Sequence, residues 1–323
     1  MSGNRIDRVQ LEGVALLQII KHCHENLPRS VTGSLLGLEA DETLEITNSF
    51  PSPPAPMPTM PTSPTAKEKP MSFAYESNEY SMDMMKNLRE VNMDNNKVGW
   101  YQSAMNSTFA TTATIEYQFQ YQKNLGDNAI CIVYDPLETM KGTLSIKAYR
   151  LSETFQEQYK TQALKDIRSS NILEEIPIQL NNSEIAQCYL LELQKQSACE
   201  FDRLDLATNT YLENSLQNLS AWADELAQEH YKFQGYERAV AKQRTQIASW
   251  LQKRREENKI RQDNGEDLLP EEDPALFKPL NQPSRLESLL ITKQMNTYCD
   301  NINRFAGKSF HKLFLADTLH KNE

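Results

Sequence analysis

Prolines divide this chain before any other feature does. Seven stand at 51, 53, 54, 56, 58, 61 and 64, whereas none occurs from Ile178 through Leu269 in a chain that has 15. Inside a helix a proline removes one hydrogen bond and its ring strikes the preceding turn, at a cost of about 3 kcal/mol. The proline-free stretch is therefore open to long helices, and its apolar periodicity is helical. Leu212, Leu219, Leu226, Phe233, Val240 and Ile247 recur every seven residues, with Leu216, Ala223 and Leu251 apolar between them. His230, Glu237 and Arg244 interrupt the second row of this heptad seam, which makes a self-sufficient two-stranded coil a poor outcome. The pattern predicts a helix that packs in a mixed bundle, either with other chains or with the end of its own.

Residues 181–265 are accordingly assigned to long helices for bundle assembly, 266–283 to a proline-rich connector and 284–323 to a C-terminal bundle helix. In that last helix Ile291, Met295, Tyr298, Ile302 and Phe305 alternate by four and three, and Phe310, Leu313 and Phe314 extend the stripe. Candidate partner-contacting residues are Leu212, Leu216, Leu219, Leu226, Phe233, Val240, Ile247 and Leu251 on the first helix. On the last they are Ile291, Met295, Tyr298, Ile302 and Phe305. Each is a large side chain that a helix in water leaves half exposed until another surface covers it.

Residues 1–180 read differently, as alternating strands and helices of an α/β (α+β) domain with a mixed sheet flanked by helices. A strand at Val9–Leu11 precedes a helix carrying Leu16, Ile19, Ile20, Cys23 and Leu27. A hairpin of Ser34–Leu38 and Leu44–Phe50 comes next, then a helix near Ser77–Val91. Val98-Gly99-Trp100-Tyr101-Gln102-Ser103 and Ala129–Tyr134 are apolar strands. Residues 143–149 alternate, with Leu144, Ile146 and Ala148 on one face, and Ile176–Leu180 reads as an edge strand. The proline cluster makes 51–69 a disordered insertion that cannot contribute core.

Other functions are excluded on simple grounds. No apolar run reaches the roughly 18 residues of a membrane span, and the N-terminus lacks the apolar core of a signal peptide, so a cytoplasmic protein is expected. A net charge of −10 argues against a free-standing nucleic-acid binder; the basic run Lys253-Arg254-Arg255 is interrupted by Glu256 and Glu257 and reads as a solvated helix face. Five scattered cysteines without a Cys-x-x-Cys pair offer no metal knuckle or redox site, and most should be small buried hydrophobes. His22 and His24 lie two apart on a helix, so they point to different faces and cannot jointly hold one ion.

The strand Val98–Ser103 followed by Ala129–Pro136 and the alternating strand is similar in order and spacing to the MPN-domain family. Its active members are zinc hydrolases, in which such a strand leads into His-x-His, then a Ser after seven intervening residues and an Asp three further on. A Glu base stands upstream. Here those slots hold Gln102, Ala104, Thr112 and Ile115, with Ser30 at the base position. A catalytic zinc needs three protein ligands with lone pairs and an open water position, and Ala104 and Ile115 have no donor atom. Serine does not accept a proton from water near neutral pH. The resemblance thus implies the fold without catalysis, metal or cofactor.

The strings Val98–Ser103, Gly142–Leu151, Leu276–Pro279 and Asn296–Cys299 together resemble the h-subunit family of eukaryotic translation initiation factor three. That resemblance implies a scaffold for initiation of protein synthesis, paired with a second, f-type MPN subunit and joined to PCI-domain subunits through a helical bundle. The small ribosomal subunit would be met through the assembled complex, with little or no direct RNA contact. The alternatives are a scaffold of a proteasome-lid or COP9-signalosome-like complex, and an active zinc deubiquitinase.

Overall fold

The computed structural model describes residues 5–40, 42–53, 78–105, 108–140, 144–161, 167–182, 184–193, 209–264, 270, 278 and 280–321. Most of the proline-rich insertion and of the connector lies outside these residues.

The first part of the chain runs β1 (Arg8–Glu12), α1 (Gly13–Glu25), β2 (Thr32–Ala40), β3 (Thr43–Pro51), α2 (Asn78–Glu90), β4 (Lys97–Ser103), α3 (Thr112–Leu125) and β5 (Ile130–Tyr134). It continues with α4 (Pro136–Thr139), β6 (Ile146–Leu151), α5 (Glu153–Thr161), β7 (Leu173–Ile176) and β8 (Ile178–Asn181). The strands form one sheet in the order β7-β6-β5-β4-β2-β3-β1-β8. It is mixed: β1 runs parallel to β3 and β8, and β4 to β5, while the remaining pairs are antiparallel.

The expected single edge strand Ile176–Leu180 is corrected by this order. Proline has no N–H for a ladder, and Pro177 splits the segment in two. Ile176 pairs with Ala148 on one edge and Ile178 with Val9 on the other. One residue spans only a few ångströms, so the two edges meet there and the sheet curls upon itself. The Val9 N–H donates to the Pro177 carbonyl (3.0 Å) across this seam, and Arg150 on β6 donates to the Ile6 carbonyl (3.1 Å) just ahead of β1.

Curling gives the sheet two buried faces. α1 fills one with Ala15, Leu16, Ile19 and Cys23 against Val9, Leu35, Ile46, Tyr101 and Ile132. α3, α5 and a C-terminal helix cover the other around Trp100, Ile115, Cys131, Tyr149 and Phe155. α3 is fixed by Gln118, whose Oε1 accepts from Trp100 Nε1 (2.7 Å) and whose Nε2 donates to the Ala129 carbonyl (2.7 Å). Along β6 the expected alternation is seen, with Ile146 and Ala148 on the α1 side and Tyr149 on the other, and both faces are covered because β6 lies inside the sheet; Leu144, ahead of β6, is exposed.

The second part is helical: α6 (Glu184–Leu193), α7 (Asn209–Asn264) and α8 (Leu286–His320). α7 has 56 residues and so is about 84 Å long. α8 returns antiparallel along it, with Asn218 and Trp222 beside Tyr298, Phe233 beside Arg285, and Gln243 donating to the Lys278 carbonyl.

The cysteine expectation holds for only half of those described. Cys23 and Cys131 are buried, and burial pushes both thiols up, Cys23 to about 12, whereas Cys188 and Cys299 are exposed.

Candidate functional site

The positions aligned with metal ligands converge at the C-terminal end of β4. Ser30, exposed in the loop before β2, donates through Oγ to the Ser103 carbonyl (3.0 Å), and the Val31 N–H donates to Ser103 Oγ (2.8 Å). Gln102 is 2% exposed; its Nε2 donates to the Phe109 carbonyl (3.4 Å), and its Oε1 has no hydrogen-bond partner among the described residues. Ala104 and Ile115 are buried in one apolar cluster with Trp100, Phe109, Val133 and Tyr149. Thr112 opens α3 half-buried, behind the N-cap Thr111, whose side chain accepts from the Thr114 N–H (3.2 Å).

Where a metal would need lone pairs, this chain packs methyl groups and an aromatic ring. Among the described residues no group of three or more His, Cys, Asp or Glu stands in a metal-holding arrangement. The nearby carboxylate of Asp135 is committed to structure: its Oδ1 accepts from the N–H groups of Leu137 and Glu138 (3.0 and 3.1 Å) and caps α4.

His22 and His24 cannot substitute, because alternation along β4 and β5 sends their partners to the opposite face. His22 Nδ1 lies 3.0 Å from Tyr101 Oη, and His24 Nε2 lies 3.4 Å from Tyr134 Oη, both on the α1 side of the sheet. Burial draws the His22 imidazole below its ordinary value, so the neutral ring is favoured at that contact.

A cleft of about 410 Å³ opens beside Ala104. Ala104, Phe109 and Tyr149 line it from the sheet side, and Asn301, Arg304 and Phe305 of α8 form its other wall. No pattern in the sequence indicates that the terminal helix reaches this place. Leu286 and Leu290 sit in the cluster of Ile115 and Tyr149, Gln294 Oε1 accepts from the Ala110 N–H (3.2 Å), and Lys293 Nζ donates to the Leu173 carbonyl (2.8 Å). The Lys293 ammonium also lies over the Tyr149 ring; burial pushes it down to about 8, a shift that Glu175 opposes and Lys147 reinforces.

Of the candidate partner-contacting residues, Leu226, Phe233 and Met295 face one groove between α7 and α8, and Tyr298 is buried against Trp222. Leu219, Val240, Ile247, Leu251, Ile291, Ile302 and Phe305 are half-buried, and the Leu212 side chain lies outside the described residues. Leu216 is 62% exposed, so the second row that faces α8 does not run through it. That row stands one residue earlier, at Ser215, Trp222, Glu229, Tyr236, Gln243 and Trp250, all buried or half-buried, while Ala223, His230, Glu237 and Arg244 are exposed. Both rows keep the three-and-four spacing with Leu219 and Leu226. Three polar residues in the inner row hid it, although Trp222, Tyr236 and Trp250 were the available signal. On α8 the inner row is Leu286, Leu290, Gln294 and Tyr298, each four apart, again masked by one glutamine.

Apolar surface remains uncovered. Phe310, Leu313, Phe314 and Leu315 are exposed at the end of α8, as are Ile185, Tyr189 and Leu191 on α6 and Val14 and Leu17 on α1. No helix among the described residues is long and apolar enough to cross a membrane.

Comparison with known proteins matches two families to successive parts of the chain. The family described as JAB1/Mov34/MPN/PAD-1 ubiquitin protease matches residues 4–126, and that described as the C-terminal region of eIF3h matches 139–323. Similar curated proteins include the H subunit of eukaryotic translation initiation factor 3 from Arabidopsis thaliana, 41% identical over 97% of this chain and 93% of that protein. The H subunits of the same factor from Nematostella vectensis (38% identical; 98% and 95%) and Dictyostelium discoideum (37%; 99% and 97%) are also similar.

Proposed function

Because the chain belongs to the H-subunit family of eukaryotic translation initiation factor 3, we propose that it is a non-catalytic scaffold of that factor, acting in the cytoplasm in initiation of protein synthesis. The observation that carries the non-catalytic reading is the filling of two ligand slots, Ala104 and Ile115, by buried side chains with no donor atom. A zinc ion at the end of β4 would lack two of its three protein ligands and the carboxylate base. The matching family's description as a ubiquitin protease therefore passes to this chain as fold alone.

Assembly is supported by what the fold leaves open. Val14 and Leu17 on α1, with Ile185, Tyr189 and Leu191 on α6, are exposed apolar side chains on two short helices, suited to pairing with a second, f-type MPN domain. Phe310, Leu313 and Phe314 recur at three- and four-residue steps on the far end of α8, suited to a bundle with helices of PCI-domain subunits. The small ribosomal subunit is then engaged through the assembled factor.

The test is incorporation. Phe310→Asp with Phe314→Asp places two charges on exposed positions, so the isolated chain should keep its thermal midpoint, while recovery of the other factor subunits with the tagged chain should collapse. Recovery at the wild-type level would remove this surface from the assembly.

A further inference from the structure

α8 is one continuous helix whose two ends have different surroundings. Its last turns leave Phe310, Leu313, Phe314 and Leu315 in solvent, while its first half lies on the outer face of the sheet. The contacts of that first half are chemically specific. Leu286 and Leu290 supply apolar knobs. Gln294 answers the N–H of Ala110, in the loop that joins β4 to α3 and begins at Ala104. Lys293 answers the carbonyl of Leu173 on β7, an edge strand of the sheet.

The same loop is held from inside by two side-chain donors on one carbonyl, which also accepts from the Thr111 N–H at 2.9 Å. Gln102 Nε2 and Thr114 Oγ1 both donate to Phe109, at 3.4 and 2.8 Å, one residue before the Ala110 N–H that α8 takes. The loop is therefore fastened to the domain at Phe109 and to α8 at Ala110. α8 also completes the wall of the cleft beside Ala104 with Asn301, Arg304 and Phe305.

We propose that the face bearing the degenerate ligand slots is a helix-binding site whose occupant is the chain's own α8, and that α8 leaves it as a unit while the sheet stays folded. The recognised element is an amphipathic helix with Leu, Leu and Gln at four-residue steps and a lysine before the glutamine. Two features make departure less costly than global unfolding. The first half of α8 contributes Leu286 and Leu290, with Leu289 partly buried beside them, and is bonded to backbone groups of the domain through the side chains of Gln294 and Lys293, whereas every sheet strand is tied by a ladder. Docking also strips water from the Lys293 ammonium. The neighbouring carboxylate, Glu175, is itself engaged by Lys147 at 3.2 Å, leaving Lys293 a carbonyl and an aromatic face.

Hydrogen exchange on the full-length chain, without partners, tests this independently of the scaffold reading. In the wild type, amides of 108–115 and 286–298 should exchange together and faster than those of β4 and β5. Gln294→Ala should accelerate both segments about tenfold while the β4 and β5 amides keep their rates. Leu290→Ala should do the same more strongly, and Lys293→Met, which keeps the stem and removes the charge, should slow both. If 108–115 keep their rates when α8 is weakened, the seat does not exist. If β4 and β5 accelerate equally in Gln294→Ala, α8 belongs to the global unit and does not leave separately.

Discussion

Replacing Tyr298 by alanine removes the side chain that the antiparallel α7–α8 pair is built around. It is 1% exposed, its ring meets Trp222 edge-to-face with centroids 4.9 Å apart at 87°, and its hydroxyl accepts from Asn218 Nδ2 at 3.1 Å. A buried tyrosine removes roughly 150–250 Å² from water, about 4–6 kcal/mol at ~25 cal/mol per Å². The edge-to-face contact and the hydrogen bond contribute on the order of 1 kcal/mol each. These contributions overlap, and aromatic-to-alanine changes in cores cost roughly 3–5 kcal/mol in total. Tyr298→Phe isolates the hydroxyl. Asn218 is half-buried and can recruit water, so about 0.5–1 kcal/mol should go. Urea unfolding followed by tryptophan fluorescence, with Trp100 and Trp250 replaced by phenylalanine in every variant compared, reports the Trp222 contact. A cost under about 1 kcal/mol for Tyr298→Ala, or a phenylalanine variant that loses as much as the alanine one, would refute a central role for this ring.

Single positions elsewhere give equally definite outcomes. Gly235 lies inside α7 with nothing within 4 Å of an added Cβ, so Gly235→Ala should stabilise by about 0.5–1 kcal/mol in thermal unfolding, for a helix-interior glycine replaced by alanine. At Gly37, where β2 shifts register against β3, a Cβ would stand 1.8 Å from the Glu45 carbonyl oxygen; Gly37→Ala should therefore depress the midpoint by many degrees or prevent soluble expression. Lys293 sits at about 8 against an ordinary 10.5, so the folded state sheds its proton first and the unfolded state binds more protons between those values. Stability should rise as pH climbs through that window, fall back to its baseline below about 8, and lose this rise in Lys293→Met.

The strands of the domain were legible because their apolar runs are short, bounded by turn residues and rich in β-branched and aromatic side chains. The ligand slots were legible because chemistry is tied to residue type: Ala104 and Ile115 cannot coordinate a metal in any conformation. Long-range pairing was not legible. Nothing local says that Pro177 sits where two sheet edges meet, or that β6 is interior, since both depend on strands far away in the chain. The inner rows of α7 and α8 were misplaced by one residue or masked because Ser215 and Gln294 are polar yet buried, and Gln243 is polar and half-buried. A half-polar interface has too little hydrophobic contrast for periodicity to choose between adjacent rows. The docking of Lys293 and Gln294 onto Leu173 and Ala110 depends on two backbone groups whose availability only the folded domain sets.

Affinity isolation of the tagged full-length chain from cells at physiological salt, with the mass of the intact native complex as readout, addresses the scaffold assignment most directly. A scaffold of initiation factor 3 should be recovered in a single assembly holding one copy of this chain and stoichiometric amounts of the factor's other subunits. A chain recovered alone, or with the subunits of a different MPN-containing assembly, would contradict that assignment.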